Sequence, residues 1–271
     1  MARIFIAIPQ YKPMAVEREM YLADLFGIKG WEPMGFHPQV GASLLDLKAT
    51  RHQFVIYTVR NDGLIDRSIS NLLGWWLHLW KKGDKYDYFL RLDEDLEFHH
   101  SAIQSMIDAD KPIIGAAYAY KTTSGFKFRK SVCKYLQGEV PDKNGILKVL
   151  WLNGGFQFFR SDALLKLMEG YPELRYDRVA ETKQEEPTES YALFTIMLHQ
   201  LPNSLKIMLS EDYAICQRAI DIGMEIYLDT KVQLCHWDGN IGYMIGKDPI
   251  TVTKENPPWE NSTTEIILKG E

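Results

Sequence analysis

Three acids close an apolar run at Tyr88-Phe89-Leu90-Arg91-Leu92-Asp93-Glu94-Asp95. Carboxylates at 93 and 95 offer hard oxygen ligands of the kind that hold Mg2+ or Mn2+, and such an ion bridges phosphate oxygens. A second acidic pair, Glu211-Asp212, follows Ser210 where a helix should begin, and the helix dipole and free amides there stabilise negative charge. His236 ends a late apolar stretch, and imidazole is a common metal ligand. Each feature also has a plainer use. Asp-x-Asp triplets occur in solvated turns, paired acids cap helices, and a lone histidine is more often structural than a ligand.

The elements that must carry these groups alternate between short apolar strands and helical stretches, which predicts an α/β fold around a mostly parallel central sheet flanked by helices. Strands are expected over residues 4–8, 54–59, 86–92, 112–119, 154–159, 225–228 and 232–236. Helices are expected over 16–26, 68–80, 101–109 and 162–169, with one more begun by Ser210 and stopped near Gly223. The polar stretch 175–190 reads as a solvated loop. In open α/β sheets ligands bind outside the carboxyl ends of strands, which is where Asp93 and Asp95 fall. With no internal repeat and no convincing linker, a single domain over 1–246 and a short arm over 247–271 are expected.

Composition narrows the field. The 36 acids outnumber the 31 Lys and Arg, so the chain lacks the cationic excess that drives nonspecific binding to a phosphate backbone, and no nucleic-acid partner is expected. The 46% hydrophobic and 25% charged residues are those of a globular protein and argue against disorder. Cys133, Cys216 and Cys235 are odd in number and form no CxxC pair, which suits buried thiols better than a disulfide framework or zinc site. The first apolar run, Ile4 through Ile8, stops at Pro9 and is too short for a signal peptide or a membrane span. A cytoplasmic location without a transmembrane anchor is therefore expected.

Taken in order, these segments resemble the metal-dependent GT-A glycosyltransferases grouped with glycosyltransferase family 2 and its viral and microbial relatives. The resemblance spans roughly residues 3–240. Residues Ile4 to Tyr11 are similar to the family's opening strand and nucleotide-contacting loop, and Ile65-Asp66-Arg67-Ser68-Ile69-Ser70-Asn71 to its Arg-containing segment. Asn153-Gly154-Gly155-Phe156 follows the pattern as well, and the strongest match runs from Ser210-Glu211-Asp212 through Arg218, Gly223 and Asp229 to His236.

The resemblance implies a Rossmann-like GT-A fold and transfer of a sugar from a nucleotide-sugar donor to a glycan or glycoconjugate acceptor. Asp93, Asp95 and His236 would hold Mn2+ or Mg2+. Pro9, Tyr11, Asp66, Arg67, Asp93, Glu94, Asn153, Gly154 and Gly155 would line the donor site. Asp212 would be the base of an inverting reaction, with Glu211 its orienting partner or alternative, and Trp151 stacks either on a sugar or in the core. A catalytically silent nucleotide-sugar or glycan binder stays as an alternative. So does a nucleotidyltransferase, although Pro9-Gln10-Tyr11-Lys12-Pro13 lacks the glycine-rich phosphate loop it usually needs.

Overall fold

The computed structural model describes residues 1–10, 37–60, 62–121, 133–136, 138–178, 187, 189–201, 205–238, 241–245 and 250–251. Tyr11, the helix expected over 16–26 and the arm over 247–271, apart from Ile250 and Thr251, lie outside the described residues. In chain order the elements are β1 (Arg3–Gln10), α1 (Pro38–Asp46), β2 (Gln53–Arg60), α2 (Ile65–Lys82), β3 (Tyr88–Leu92), β4 (Leu96–Glu97) and α3 (Ser101–Ala109). There follow β5 (Ile113–Gly115), β6 (Lys134–Tyr135), β7 (Ile146–Trp151), β8 (Phe156–Arg160), α4 (Ser161–Gly170), β9 (Arg175–Asp177) and β10 (Glu189–Tyr191). The last are β11 (Met197–Gln200), β12 (Lys206–Leu209), α5 (Glu211–Asp221), β13 (Ile226–Asp229), β14 (Cys235–Asp238), β15 (Ile241–Tyr243) and β16 (Ile250–Thr251).

An eight-stranded sheet in the order β2-β1-β3-β8-β5-β13-β7-β6 forms the centre, and only β8 and β7 run against the other strands. The fold is α/β, as expected. Strand β1 shows why its sequence is apolar without alternation: Phe5 and Ala7 enter the core on one face, and Ile4, Ile6 and Ile8 the core on the other. Helix α2 buries Ile69, Leu72, Leu73, Trp76 and Leu77, a helical stripe, against the Phe5 side. It ends at Gly83, whose φ of 103° suits glycine, with Lys81 and Lys82 in its last turn.

Several expectations change. The strand expected over 112–119 is short, because β8 ends opposite it and the chain beyond Gly115 turns toward the β3 edge, where the Tyr118 hydroxyl accepts the Gly155 N–H at 3.1 Å. The stretch expected as a solvated loop contains β9 and β10, paired antiparallel from Arg175↔Tyr191 to Asp177↔Glu189. Strand β7 and the β11–β12 hairpin were not marked by the pattern. A four-stranded sheet, β16-β15-β14-β4, carries His236 beside the acidic end of β3. Among the described residues no helix is long and apolar enough to cross a membrane.

Candidate functional site

Strands β2, β1 and β3 are parallel neighbours, so their carboxyl ends share one edge of the sheet. Strand β8 runs the other way with Phe156 opposite Leu92, which puts Gly154 and Gly155 at the exit of β3. The Asp93 N–H donates to the Gly155 carbonyl at 2.9 Å. Helix α5 begins at this same edge, where the Gly154 N–H donates to Asp212 Oδ2 at 3.1 Å and Gln157 Nε2 to the Asp212 carbonyl at 3.3 Å. Asp93, Gly154, Gly155, Glu211 and Asp212 are thereby brought together. Their order in sequence differs, but the sheet topology makes them neighbours.

The centre of this arrangement is Arg91, which the sequence reading did not select. It is 1% exposed, and its Nη2 donates to Glu211 Oε1 at 2.7 Å. Its Nε and Nη1 have no hydrogen-bond partner among the described residues. A Cβ built on Gly154 would lie 2.5 Å from the guanidinium carbon, and one on Gly155 would lie 2.8 Å from Asp93 Oδ2 and from the Tyr118 ring. Neither glycine has a positive φ, so what demands them is space. A charged residue in the run Phe-Leu-Arg-Leu was the available signal, since a buried arginine calls for an acidic partner.

His236 reaches the site from β14, which pairs with β4 so that His236 lies opposite Leu96. The Trp237 N–H also donates to the Asp95 carbonyl at 2.9 Å. His236 Nδ1 is 2.8 Å from the Ala119 carbonyl, and a carbonyl only accepts, so Nδ1 bears the proton. The other ring nitrogen, Nε2, faces Asp95 Oδ1 at 3.4 Å. In the neutral ring both are acceptors, and a divalent ion placed between them would be met by a lone pair from each. A ligating histidine whose second N–H is anchored to a backbone carbonyl is the usual arrangement at metal centres. Asp95 and His236 offer one carboxylate oxygen and one imidazole nitrogen, donors that suit a borderline divalent ion, but Asp93 does not bring a third ligand atom within 4.8 Å of both; among the described residues only Asp46, His99 and His100 converge in that way. The Lys121 ammonium contacts the second Asp95 oxygen.

The two aspartates of the triplet are shifted in opposite directions. Burial pushes the Asp93 carboxyl up to about 6; Arg91 and His236 oppose this, while Asp95 and Glu211 reinforce it. Burial also raises Asp95, but the His236 bond and charge, with Lys121, outweigh it and hold that carboxyl below its ordinary value. Asp212 is raised, first by burial and then by Glu211, against Arg91, the Ser210 hydroxyl and the Tyr213 amide. Ser210 stands at the N-cap of α5, yet its hydroxyl bonds the Asp212 carboxylate in place of a backbone amide.

The other residues expected at the donor site are placed as follows. Pro9 is buried near the end of β1, opposite Val59. Asp66 and Arg67 open α2 on the same edge of the sheet, where Arg67 Nε forms bonds of 3.0 and 2.9 Å to the two Asp62 oxygens. The Glu94 carbonyl accepts the His37 N–H at 2.9 Å. Asn153 is buried, taking the Cys133 thiol at 2.6 Å and donating to the Ala116 carbonyl at 3.4 Å. Trp151 belongs to the core, stacked on Tyr213 with centroids 5.3 Å apart and with its indole N–H on Gln217.

A separate group, Asp46, His99 and His100, places one ligand-type atom from each residue within 4.8 Å of the others. It lies where the end of α1 meets the start of α3.

No protein-family model matches the chain, and no curated protein matches it. Among solved structures it is similar to A197 from STIV, at 13% identity over 96% of this chain and 100% of that one, with a TM-score of 0.46. It is also similar to GalNAc-T7 with UDP, GalNAc and Mn2+, at 10% identity over 97% of this chain, with a TM-score of 0.42. The match spans 46% of that chain, so less than half of its length is covered. A glycosyltransferase involved in glycosylation of the major capsid of PBCV-1 is similar at 12% identity over 82% of this chain and 92% of that one, with a TM-score of 0.32. Likenesses this distant leave the chemistry of the site to rest on its own geometry.

Proposed function

We propose that this chain is a nucleotide-sugar-dependent, inverting glycosyltransferase with a GT-A arrangement, acting on a hydroxyl of a glycan or glycoconjugate, with residues 1–246 as its catalytic domain. The observation that carries the reading is the facing pair of His236 Nε2 and Asp95 Oδ1, 3.4 Å apart at the carboxyl end of a parallel strand, with the half-buried Asp212 bonded to the Gly154 N–H beside it. Asp95 and His236 would hold Mn2+ or Mg2+. That ion would neutralise the charge developing on a nucleoside diphosphate leaving group.

The protein's own groups do the rest. Asp212 accepts the proton of the acceptor hydroxyl as that oxygen attacks the anomeric carbon, opposite the departing diphosphate, as the bases of inverting glycosidases do. Its carboxylate has about four acceptor positions. Gly154, Ser210 and Tyr213 fill three and leave one for the proton. Glu211 is held by Arg91, which fixes the first turn of α5 and leaves Asp212 as the base.

The test is sugar transfer and donor hydrolysis across a panel of nucleotide sugars, with and without Mn2+. Metal-dependent release of the nucleoside diphosphate from at least one donor is expected. Donor binding without turnover would instead support the silent binder, and the absence of both binding and turnover would overturn the reading.

A further inference from the structure

The second histidine-acid cluster lies outside the proposed catalytic edge and does not depend on that reading. Helix α1 runs beside the segment that leads from the acidic triplet into α3, and backbone N–H groups of both tie the two together. The His37 N–H donates to the Glu94 carbonyl at 2.9 Å, the Phe98 N–H to Ser43 Oγ at 2.9 Å, and the His100 N–H to Asp46 Oδ2 at 3.0 Å. At the last of these, two imidazoles converge on the same oxygen. His100 Nδ1 is 2.8 Å from Asp46 Oδ2 and His99 Nε2 is 3.8 Å from it, and the two rings lie 4.1 Å apart.

We propose that Asp46, His99 and His100 form a binding site for a zinc-type divalent ion, held by His99 Nε2, His100 Nδ1 and one Asp46 oxygen, with water completing the coordination.

The donor set decides the class of ion. Two imidazole nitrogens and one carboxylate oxygen suit Zn2+ and its late first-row neighbours, whereas Mg2+ prefers an all-oxygen shell. Arms of about 2.0–2.1 Å in a tetrahedron place ligand atoms roughly 3.3 Å apart. The observed 2.8 and 3.8 Å from Asp46 straddle that spacing, and all three ligand atoms lie within 4.8 Å of one another, so side-chain adjustments would seat the ion. His99 Nδ1 lies 2.8 Å from Ser101 Oγ, a partner that can take its proton and leave Nε2 for the metal. The cost is the longer contact in which the Ser101 amide donates to Nδ1 at 3.3 Å.

Access agrees. The site faces solvent, with the His99 side chain 66% exposed and that of Asp46 35% exposed, so an ion can enter without opening the fold. The plain alternative is that Asp46 only caps α3 through the His100 amide. That role also accounts for the His100 imidazole, which bonds the same Asp46 oxygen at 2.8 Å, but it gives His99 Nε2 no reason to face Asp46. An ion here would fasten α1 to the segment that carries the acidic triplet.

The test is calorimetric titration of the full chain with ZnCl2 in the background of Asp95→Ala with His236→Ala, which removes the other candidate centre. One ion per chain is expected, and adding His99→Ala or His100→Ala should each weaken its binding by about tenfold or more. Asp46→Asn should do the same, but it also touches the α3 cap. The histidine variants therefore decide, with circular dichroism confirming that they fold. Co2+ in place of Zn2+ should give visible absorption that disappears with His99→Ala. No stoichiometric zinc in the parent, or equal affinity in the histidine variants, would overturn the proposal.

Discussion

Arg91 Nη2 donates to Glu211 Oε1 over 2.7 Å, so a buried guanidinium on β3 anchors the first turn of α5 across 120 positions of sequence. The bond assigns different tasks to two adjacent acids. Glu211 spends its charge on Arg91, while Asp212 takes the Gly154 N–H and keeps an unfilled acceptor position.

Breaking that pair from one side should be costly. Arg91→Met leaves Glu211 in a largely buried place without its counter-charge and should destabilise the protein by about 3–5 kcal/mol. Arg91→Met combined with Glu211→Met removes both charges at similar volume and should recover most of the loss, because well-packed apolar pairs often replace buried ion pairs at little cost. Urea unfolding of the two single variants and the double variant gives the cycle. Additive losses would mean that the two residues are not coupled in solution.

Gly154 is the next point of tension. An added Cβ would stand 2.5 Å from the guanidinium carbon of Arg91, a side chain held by its bond to Glu211 and unable to swing aside. Gly154→Ala should therefore cost about 1–3 kcal/mol, the usual range for forcing an extra methyl into a packed core. It should also disturb the Gly154 amide that holds Asp212. Gly63→Ala, with nothing within 4 Å of its added carbon, is the matched control and should change stability little.

The physical origin of each signal explains what the sequence disclosed. Strands β1, β2 and β3 and helices α2 and α3 were legible because burial writes a continuous apolar run or a 3.6-residue stripe directly into composition. The β11–β12 hairpin was not, since its outward residues include Leu198 and Met208, exposed and apolar, which erases the alternation that marks a half-buried strand. The acids and His236 were found by type, but their grouping depends on β8 and β14 running beside β3 and β4, a pairing with no local signature. Arg91 and the Asp46 cluster escaped for the same reason: their partners lie 120 and more than 50 positions away.

At the facing pair, His236→Ala and Asp95→Ala should each weaken Mn2+ binding by about tenfold or more, read by the loss of free-ion paramagnetic resonance signal on titration. His236→Gln keeps a polar group of similar reach but no imidazole nitrogen, and should be nearly as weak as the alanine variant. If all three bind Mn2+ like the parent, the close approach of Nε2 and Oδ1 is an ion pair with a protonated imidazole and nothing more.

Asp212→Asn should keep nucleoside diphosphate affinity and lower the transfer rate by about 10²–10⁴, the usual contribution of a positioned general base. Base catalysis needs the ionised carboxyl, and burial together with Glu211 raises its pKa above the ordinary 3.8. The rate should accordingly fall with decreasing pH along a limb centred above that value. The Asn variant should lack this limb.

Asp93 allows the sign of a stability change to be worked out. Its carboxyl sits at about 6 in the folded chain against 3.8 when free, so the folded state binds the proton more tightly. A group raised in this way contributes most below its unfolded pKa, and that contribution is lost as pH rises from about 4 through about 6. At pH 7, without added metal, Asp93 therefore carries the cost of a poorly solvated anion near Asp95 and Glu211. Asp93→Asn removes that charge at constant shape and should stabilise the chain by about 1–3 kcal/mol at pH 7, discounting the full shift for the partial exposure of the side chain. The gain should shrink toward zero near pH 4, where the wild-type carboxyl is protonated in the folded state. Thermal unfolding of both proteins across pH 4–8 measures it, and a variant that is less stable than wild type at pH 7 would show that the ionised carboxylate is held by favourable contacts.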